Sequence, residues 1–191
     1  MSDPGFALFD TAIGRCAVVW TERGIAGVCL PEGSERATRS RILRRFPAAR
    51  EIAPPTEIAR TIGDIVASLA GERRDLRAAV LDIGDVPAFN RRVYDIARTV
   101  PAGGTISYGE IAERLGDRNL ARDVAQALSQ NPFPIIVPCH RVMAAGGKMG
   151  GFSAYGGVRT KLRLLSIEGA QPSGPTLFAD LPLEAPPRRR A

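Results

Sequence analysis

The 191-residue chain has little of what many protein classes depend on: one histidine and three cysteines. Cys16, Cys29 and Cys139 cannot all pair within one chain, and they lack the closely spaced Cys/His ligands of a zinc site. Free thiols in a reducing compartment fit this usage better than a disulfide framework. No stretch approaches the roughly 20 apolar residues needed to cross a bilayer. The opening Met1-Ser2-Asp3-Pro4 has neither a basic nor an apolar leader region, so a cytoplasmic protein without membrane association is expected. There is no GxGxxG or Walker motif, which removes the usual signals for dinucleotide or nucleoside triphosphate binding. No cofactor and no metal are expected.

What is present is ordinary for a globular protein, with 45% apolar and 24% charged residues. The length suits one large domain or two small ones, and either buries a core. The net charge of +6 is unevenly placed. Residues 1–86 hold 12 basic and 12 acidic groups, whereas residues 87–170 hold 11 basic and 6 acidic. The excess therefore lies with the segment containing Cys139. A locally basic surface suits a polyanion such as DNA; a solvated basic face is the alternative.

The first third predicts a β meander. Phe6–Phe9, Arg15–Trp20 and Ile25–Leu30 are short apolar runs separated by turn residues. Cys16 and Cys29 fall inside two of these runs and read as small buried hydrophobes. Ser34–Phe46 and Ile58–Leu69 carry helical spacing, the second ending at Gly71. Ala78–Ile83 is a further candidate strand. Nothing here carries chemistry, so 1–84 reads as an α/β scaffold with a small antiparallel sheet and helices.

Gly84-Asp85-Val86-Pro87 marks a boundary, after which the pattern turns helical. Asp85 is placed to cap a helix with core positions Phe89, Val93, Ile96 and Val100. Ser107-Tyr-Gly-Glu110 is a capping box opening a helix over Tyr108–Leu115, stopped by Gly116-Asp117. The next helix, about Asn119–Gln130, buries Leu120, Val124 and Leu128 and displays Arg122, Gln126 and Ser129. Asn131 is predicted to close it in a left-handed conformation, and Pro132 forbids its continuation. Two short helices joined by a tight turn outline a helix-turn-helix unit within residues 85–170. By itself this outline is common among helical domains.

After Pro132 comes Phe133-Pro-Ile-Ile-Val-Pro-Cys-His-Arg-Val142, in which a predicted strand, Ile135–Val137, delivers Cys139. Pro138 restricts the backbone before the thiol, and a nearby imidazole or cation favours the nucleophilic thiolate. Consecutive strand residues face opposite ways, so Cys139 and His140 pair directly only if the chain turns; a bridging water is the other route. On these residues alone, a structural cysteine beside an incidental histidine is the alternative.

Pro138-Cys-His-Arg-Val142, preceded by Asn131-Pro and by Ser107-Tyr-Gly-Glu-Ile-Ala112, resembles the O6-alkylguanine-DNA alkyltransferase (methylated-DNA–protein-cysteine methyltransferase) family. The resemblance runs from Phe89 to Gly169. It implies a two-part fold, α/β then mostly α-helical with a winged-helix-like helix-turn-helix. It also implies DNA repair by a single-turnover transfer of an alkyl group from O6-alkylguanine in double-stranded DNA to Cys139. O4-alkylthymine is left open as a second lesion. His140 would act as base through a water, oriented by Glu168. Asn131 would brace the turn before the cysteine. Tyr108 would help swing the nucleotide out and support protonation of the leaving guanine. Arg122 would fill the gap, with Gln126 and Ser129 beside it on the DNA. Val142 and the Gly150–Gly157 segment would wall the pocket, Ser153 or Tyr155 contacting O6. The family acts as a monomer through the minor groove, and base extrusion is required because O6 sits inside the stack.

Three features depart from the family pattern. Arg122 is followed by Asp123-Val-Ala125 where Ala-Val-Gly is usual, which predicts weaker or more salt-sensitive DNA binding. The 150–157 loop is about two residues longer than usual, and the Arg-rich tail 171–191 lies outside the resemblance and is expected to be disordered. Rival readings are a non-catalytic lesion binder, a helix-turn-helix transcription regulator and a Cys-His hydrolase. The retained cysteine argues against the first. The second requires sequence-specific binding, and the third an oxyanion hole.

Overall fold

Two glycines set the corners of the first sheet. Strands β1 (Gly5–Thr11), β2 (Gly14–Thr21) and β3 (Gly24–Cys29) form consecutive hairpins, with Gly14 at φ 122° and Gly24 at φ 129° beginning the return strands. A Cβ on Gly24 would lie 2.6 Å from the Val80 carbonyl oxygen, so space as well as φ demands glycine there. This description comes from a computed structural model in which residues 3–170 are described. The tail 171–191 lies outside the described residues.

The sheet order is β3-β2-β1-β4, where β4 is the two-residue strand Arg50–Glu51 running parallel to β1. The sheet is therefore mixed, not purely antiparallel as the sequence suggested. Two charged residues show no alternation to reveal a strand; they are recruited through the free backbone edge of β1. Alternation along β2 divides the core. Cys16, Val18 and Trp20 face the larger hydrophobic cluster, while Ala17 and Val19 face a smaller one with Phe6, Cys29 and Ile42. Helix α1 (Glu35–Arg45), capped by Ser34, covers the smaller cluster, and α2 (Thr56–Leu69) contributes Ile65 and Leu69 to the larger.

Ala78–Ile83 is not a strand. Leu76–Ala78 forms a single 3-10 turn, and the chain then meets β3 through Ile25 N–H to Val80 O (2.9 Å) and Asp82 N–H to Ile25 O (2.7 Å). Side chains hold the segment instead: Asp82 accepts from Thr21 at 2.6 Å and pairs with Arg23 at 3.0 Å.

Helix α3 (Ala88–Arg98) starts after Pro87, which occupies the cap position with no side-chain hydrogen bond, so Asp85 does not cap it. The capping box is present: Ser107 and Glu110 satisfy each other's amides at the start of α4 (Tyr108–Leu115). Gly116, at φ 103°, closes α4 in the left-handed region. A 3-10 turn at Arg118–Leu120, capped by Asp117, then leads into α5 (Ala121–Ser129). The Tyr94 hydroxyl donates to Ala127 O at 2.9 Å and fastens α3 to α5. Short strands β5 (Ile106–Ser107) and β6 (Val142–Met143) pair in parallel, and α6 (Val158–Ile167) follows. The larger cluster joins both parts of the chain: Val18, Trp20 and Ile25 share it with Val93, Ile111, Val124, Phe133 and Leu164.

Candidate active site

The segment before the cysteine is a knot of turns, not the expected strand. Ile135 has φ 74°, the one positive φ outside glycine among the described residues. Prolines at 132, 134 and 138 remove three backbone donors, so no strand ladder can run through here. Asn131 supplies substitutes: its Nδ2 donates to Val137 O at 2.9 Å, and its Oδ1 accepts from Phe133 N–H at 2.9 Å. It does this without the left-handed conformation expected of it. Residues Cys139–Arg141 then form a 3-10 turn, so Cys139 and His140 are not on opposite faces of a strand.

His140 is 1% exposed. Its Nε2 lies 2.9 Å from Glu168 Oε1, and Arg141 grips the same carboxylate from Nε (2.9 Å) and Nη2 (2.8 Å). Burial would raise the Glu168 pKa, but the bonds from His140 and Arg141 outweigh it and hold the group at about 2. Burial lowers the His140 pKa more than Glu168 raises it. The imidazole is thus neutral, with its proton on Nε2 facing an anionic carboxylate. That leaves Nδ1 as a bare lone pair, buried and without a hydrogen bond among the described residues.

Cys139 is half-buried. Burial pushes its thiol pKa up, opposed by the Asn131 side chain, the Lys161 charge and the backbone amides of Cys139 and His140. Cys16 and Cys29 are pushed to about 12 and about 11, burial being the largest cause in each. Both are buried in the sheet, as the sequence suggested.

Lys161 is a site residue that sequence reasoning missed. It is 0% exposed, and its ammonium donates to Val142 O (2.6 Å) and Met149 O (2.5 Å). Burial lowers its pKa to about 8, with the Cys139 thiolate as the opposing influence. The signal was a lysine on the apolar stripe Val158, Lys161, Leu164, Leu165 of α6.

Tyr108 follows β5, whose pairing with β6 sets it near the exit of the cysteine turn. Burial, and then the Cys139 charge, raise its pKa. A Cβ on Gly150 would come within 3.1 Å of its hydroxyl. A cleft opens beside Cys139. Of the three predicted pocket residues, Ser153 lines this cleft. Val142 is fully buried in β6, and Tyr155 is 58% exposed with its ring against Gly33. Arg122, Gln126 and Ser129 are exposed on α5, which leads through Asn131 to the cysteine turn. Among the described residues, no group of three or more His, Cys, Asp or Glu side chains could hold a metal ion. No described helix is long and apolar enough to cross a membrane.

A cysteine presented on a turn, a neutral histidine locked by a carboxylate and an exposed helix leading into the same turn define a protein built around one reactive thiol. Residues 88–170 match the family described as 6-O-methylguanine DNA methyltransferase, DNA binding domain. The methylated-DNA–protein-cysteine methyltransferase of Methanothermobacter thermautotrophicus is 36% identical, over 82% of this chain and 81% of that protein. The bifunctional transcriptional activator/DNA repair enzyme Ada of Escherichia coli is also 36% identical, but this chain spans only 45% of its length. The Mycobacterium tuberculosis OGT structure in complex with DNA is 30% identical, with a TM-score of 0.67 over 86% of this chain and 92% of that one. The chain belongs to the methylated-DNA–protein-cysteine methyltransferase family.

Proposed function

We propose that the protein repairs DNA by moving the alkyl group of O6-alkylguanine onto Cys139, once per molecule. The observation that carries this reading is the His140–Glu168–Arg141 arrangement behind the thiol. At neutral pH the thiol holds its proton and the imidazole has a free lone pair. His140 Nδ1 takes the thiol proton by way of one water. The sulfur lone pair then forms the S–C bond while the C–O6 bond breaks, its electron pair staying on the guanine oxygen. Guanine takes up a proton from the Tyr108 hydroxyl, which recovers one from the His140 imidazolium by way of water, so the thiol proton ends on guanine and the imidazole returns to neutral. The product is a thioether and an unmodified guanine, with no cofactor consumed.

Residues 85–170 form the DNA-binding and alkyl-acceptor part and 1–84 the scaffold, with α4 and α5 as a winged-helix-like helix-turn-helix. Arg122 enters the duplex to fill the place of the extruded base, and Gln126 and Ser129 meet the backbone beside it. Ser153, which lines the cleft with Cys139, is the O6 contact favoured over Tyr155. The protein works as a cytoplasmic monomer.

Intact-mass measurement after incubation with a duplex carrying O6-methylguanine tests the reading. One methyl group per chain, mapped to the Cys139 peptide, is expected, and Cys139→Ala should acquire none. An unchanged mass, or label on Cys16 or Cys29, would refute it. A non-catalytic lesion binder, a transcription regulator and a hydrolase all predict an unchanged mass.

A further inference from the structure

Two polar side chains are buried on α3, Asn90 and Tyr94, and neither takes part in the chemistry above. Four residues apart, they share one face of the helix, and both reach the end of α5. The Tyr94 hydroxyl donates to Ala127 O at 2.9 Å, and Asn90 Nδ2 donates to Gln130 Oε1 at 3.3 Å. Burial raises the Tyr94 pKa, so the hydroxyl keeps its proton and remains a donor. The same ring stands edge-on to Phe133, with centroids 6.5 Å apart and planes at 87°. Phe133 is buried and opens the cysteine turn: its N–H goes to Asn131 Oδ1, and its carbonyl accepts from Val137 N–H at 2.8 Å. Through one tyrosine, α3 is therefore bonded to the helix that carries Arg122 and packed against the turn that carries Cys139. The bond is not needed to complete α5, because Ala127 O already accepts from Gln130 N–H at 3.2 Å. What it adds is restraint. Helix α5 ends at Ser129, and Gln130 and Asn131 join it to the turn, each with two soft backbone dihedrals.

We propose that Tyr94, with the Asn90–Gln130 pair, forms a set of positioning residues that holds α5 in register with the cysteine turn. The inference rests on the alkyl transfer proposed above and names what keeps an extruded nucleotide aimed at the Cys139 sulfur. A base within duplex DNA is tethered to the strand that α5 holds. It meets the sulfur only if the angle between α5 and the turn is fixed, and a small misplacement of reacting atoms is costly in rate. A free base has no tether and meets the sulfur whatever the angle of α5. The hydroxyl and the amide pair therefore serve the duplex reaction alone, whereas the ring of Tyr94, through Phe133, supports the turn itself.

The test compares O6-benzylguanine in a saturating duplex with the same lesion as a free base, so the group transferred is identical, and reads single-turnover rates by intact mass. Tyr94→Phe keeps the ring on Phe133 and removes only the hydroxyl. It should slow transfer from the duplex about fivefold, leave the free base within about twofold, and leave affinity for an unmodified duplex unchanged. Tyr94→Leu also removes the ring contact and should slow both substrates. Gln130→Ala, at an exposed position that leaves the core untouched, should repeat the duplex-only loss at about twofold to threefold. Adding Asn90→Ala to it should cost no more, because the two amides act as one pair. Equal slowing of duplex and free base by Tyr94→Phe would overturn the positioning role, as would unchanged duplex transfer in both Tyr94→Phe and Gln130→Ala. A fall in duplex affinity as large as the fall in rate would assign these contacts to binding and overturn it as well. Failure of the wild-type protein to transfer from either substrate would refute the transfer reading, and this one with it.

Discussion

The two halves of the chain use their charges differently. In the first, arginines pair with acids: Arg15 with Glu35, Arg23 with Asp82, Arg41 with Glu32, Arg74 with Glu72, Arg77 with Asp75. The exposed ones among these pairs are screened by solvent and contribute little, whereas the Asp82 side chain is itself buried. In the second, the cations largely serve backbone oxygens. Arg92 donates to Leu115 O at the end of α4, Arg98 to the carbonyls of Leu76, Arg77 and Ala79, and Lys161 to those of Val142 and Met149. Its side-chain ion pairs among the described residues are Arg118–Glu113 and the Arg141–Glu168–His140 cluster. Balanced charge makes a neutral scaffold. Surplus positive charge closes turns around the thiol and leaves Arg122 exposed on α5, without an ion pair among the described residues, ready for a polyanion.

The sharpest break of this contrast is at the thiols themselves. Cys139→Ala should abolish transfer, while Cys16→Ala and Cys29→Ala should keep it within about twofold, since burial holds both as unreactive thiols. Intact-mass kinetics would show it; loss of transfer in Cys29→Ala without unfolding would erase the distinction.

Next comes the buried cluster. His140→Asn should slow transfer about 100-fold, the usual scale for a general base. Its pH dependence follows from burial. The folded-state pKa of His140 lies below the ordinary value of 6.5, so protonation of the base should leave the wild-type rate unaffected down to pH 6.5 and slow it only below that. The unfolded chain binds more protons than the folded one in that acid range, so His140 also draws stability down as pH falls through 6.5. A rate already halved at pH 7 would contradict a neutral buried imidazole.

Lys161→Met should slow transfer about tenfold, because it removes the positive charge that opposes the raised thiol pKa. It also leaves two carbonyls unpaired, at about 1–3 kcal/mol each, partly offset because a buried ammonium is itself costly. A rate defect that disappears as pH rises toward the thiol pKa would separate the charge from the packing role; a defect of equal size at every pH would assign Lys161 to packing alone.

On the exposed helix the effects should depend on the substrate. Arg122→Ala should cut transfer from duplex DNA by about tenfold or more and leave transfer from free O6-benzylguanine nearly unchanged, because only the duplex needs its gap filled. Equal losses would place Arg122 in the pocket or the fold.

The smallest expected effect is at Asp123. It is exposed beside Arg122 and makes no ion pair among the described residues, and Arg118 is engaged by Glu113 at 2.9 Å. Asp123→Ala should tighten binding to an unmodified duplex a few-fold at low salt, with the gain fading as salt rises. Unchanged affinity at low salt would remove Asp123 as a brake on binding.

Much of the local structure was legible because it is written in short-range terms. The two hairpins follow from alternation and glycine placement, and α4 from its capping box and Gly116. Where the reading failed, side-chain bonds and packing outside the simple hydrophobic pattern had decided the outcome. Ala78–Ile83 has the composition of a strand but makes only two backbone bonds to β3. Ile135–Val137 is apolar enough for a strand, yet three prolines and the Asn131 side chain fold it into turns. Lys161 was hidden because a lysine in an apolar stripe finds its partners only when β6 and the 149 loop close over it.

The amino-acid order alone singled out the candidate groups: one histidine follows one proline-flanked cysteine, and the charge surplus lies in the same segment. Resemblance to the alkyltransferase family, carried by the spacing of Tyr108, Arg122 and Asn131 from Cys139, implied the remaining roles, Glu168 among them. Only the tertiary structure decided the protonation states and the extent of the site. A histidine is neutral and a thiol protonated because of burial, and the Nε2 tautomer is set by a carboxylate 28 residues away. The cleft exists because β3 and α1 fold against the cysteine turn. Desolvation and electrostatic pairing act through space, and their strength depends on which atoms exclude water, a property that belongs to the packed molecule and not to the order of its residues.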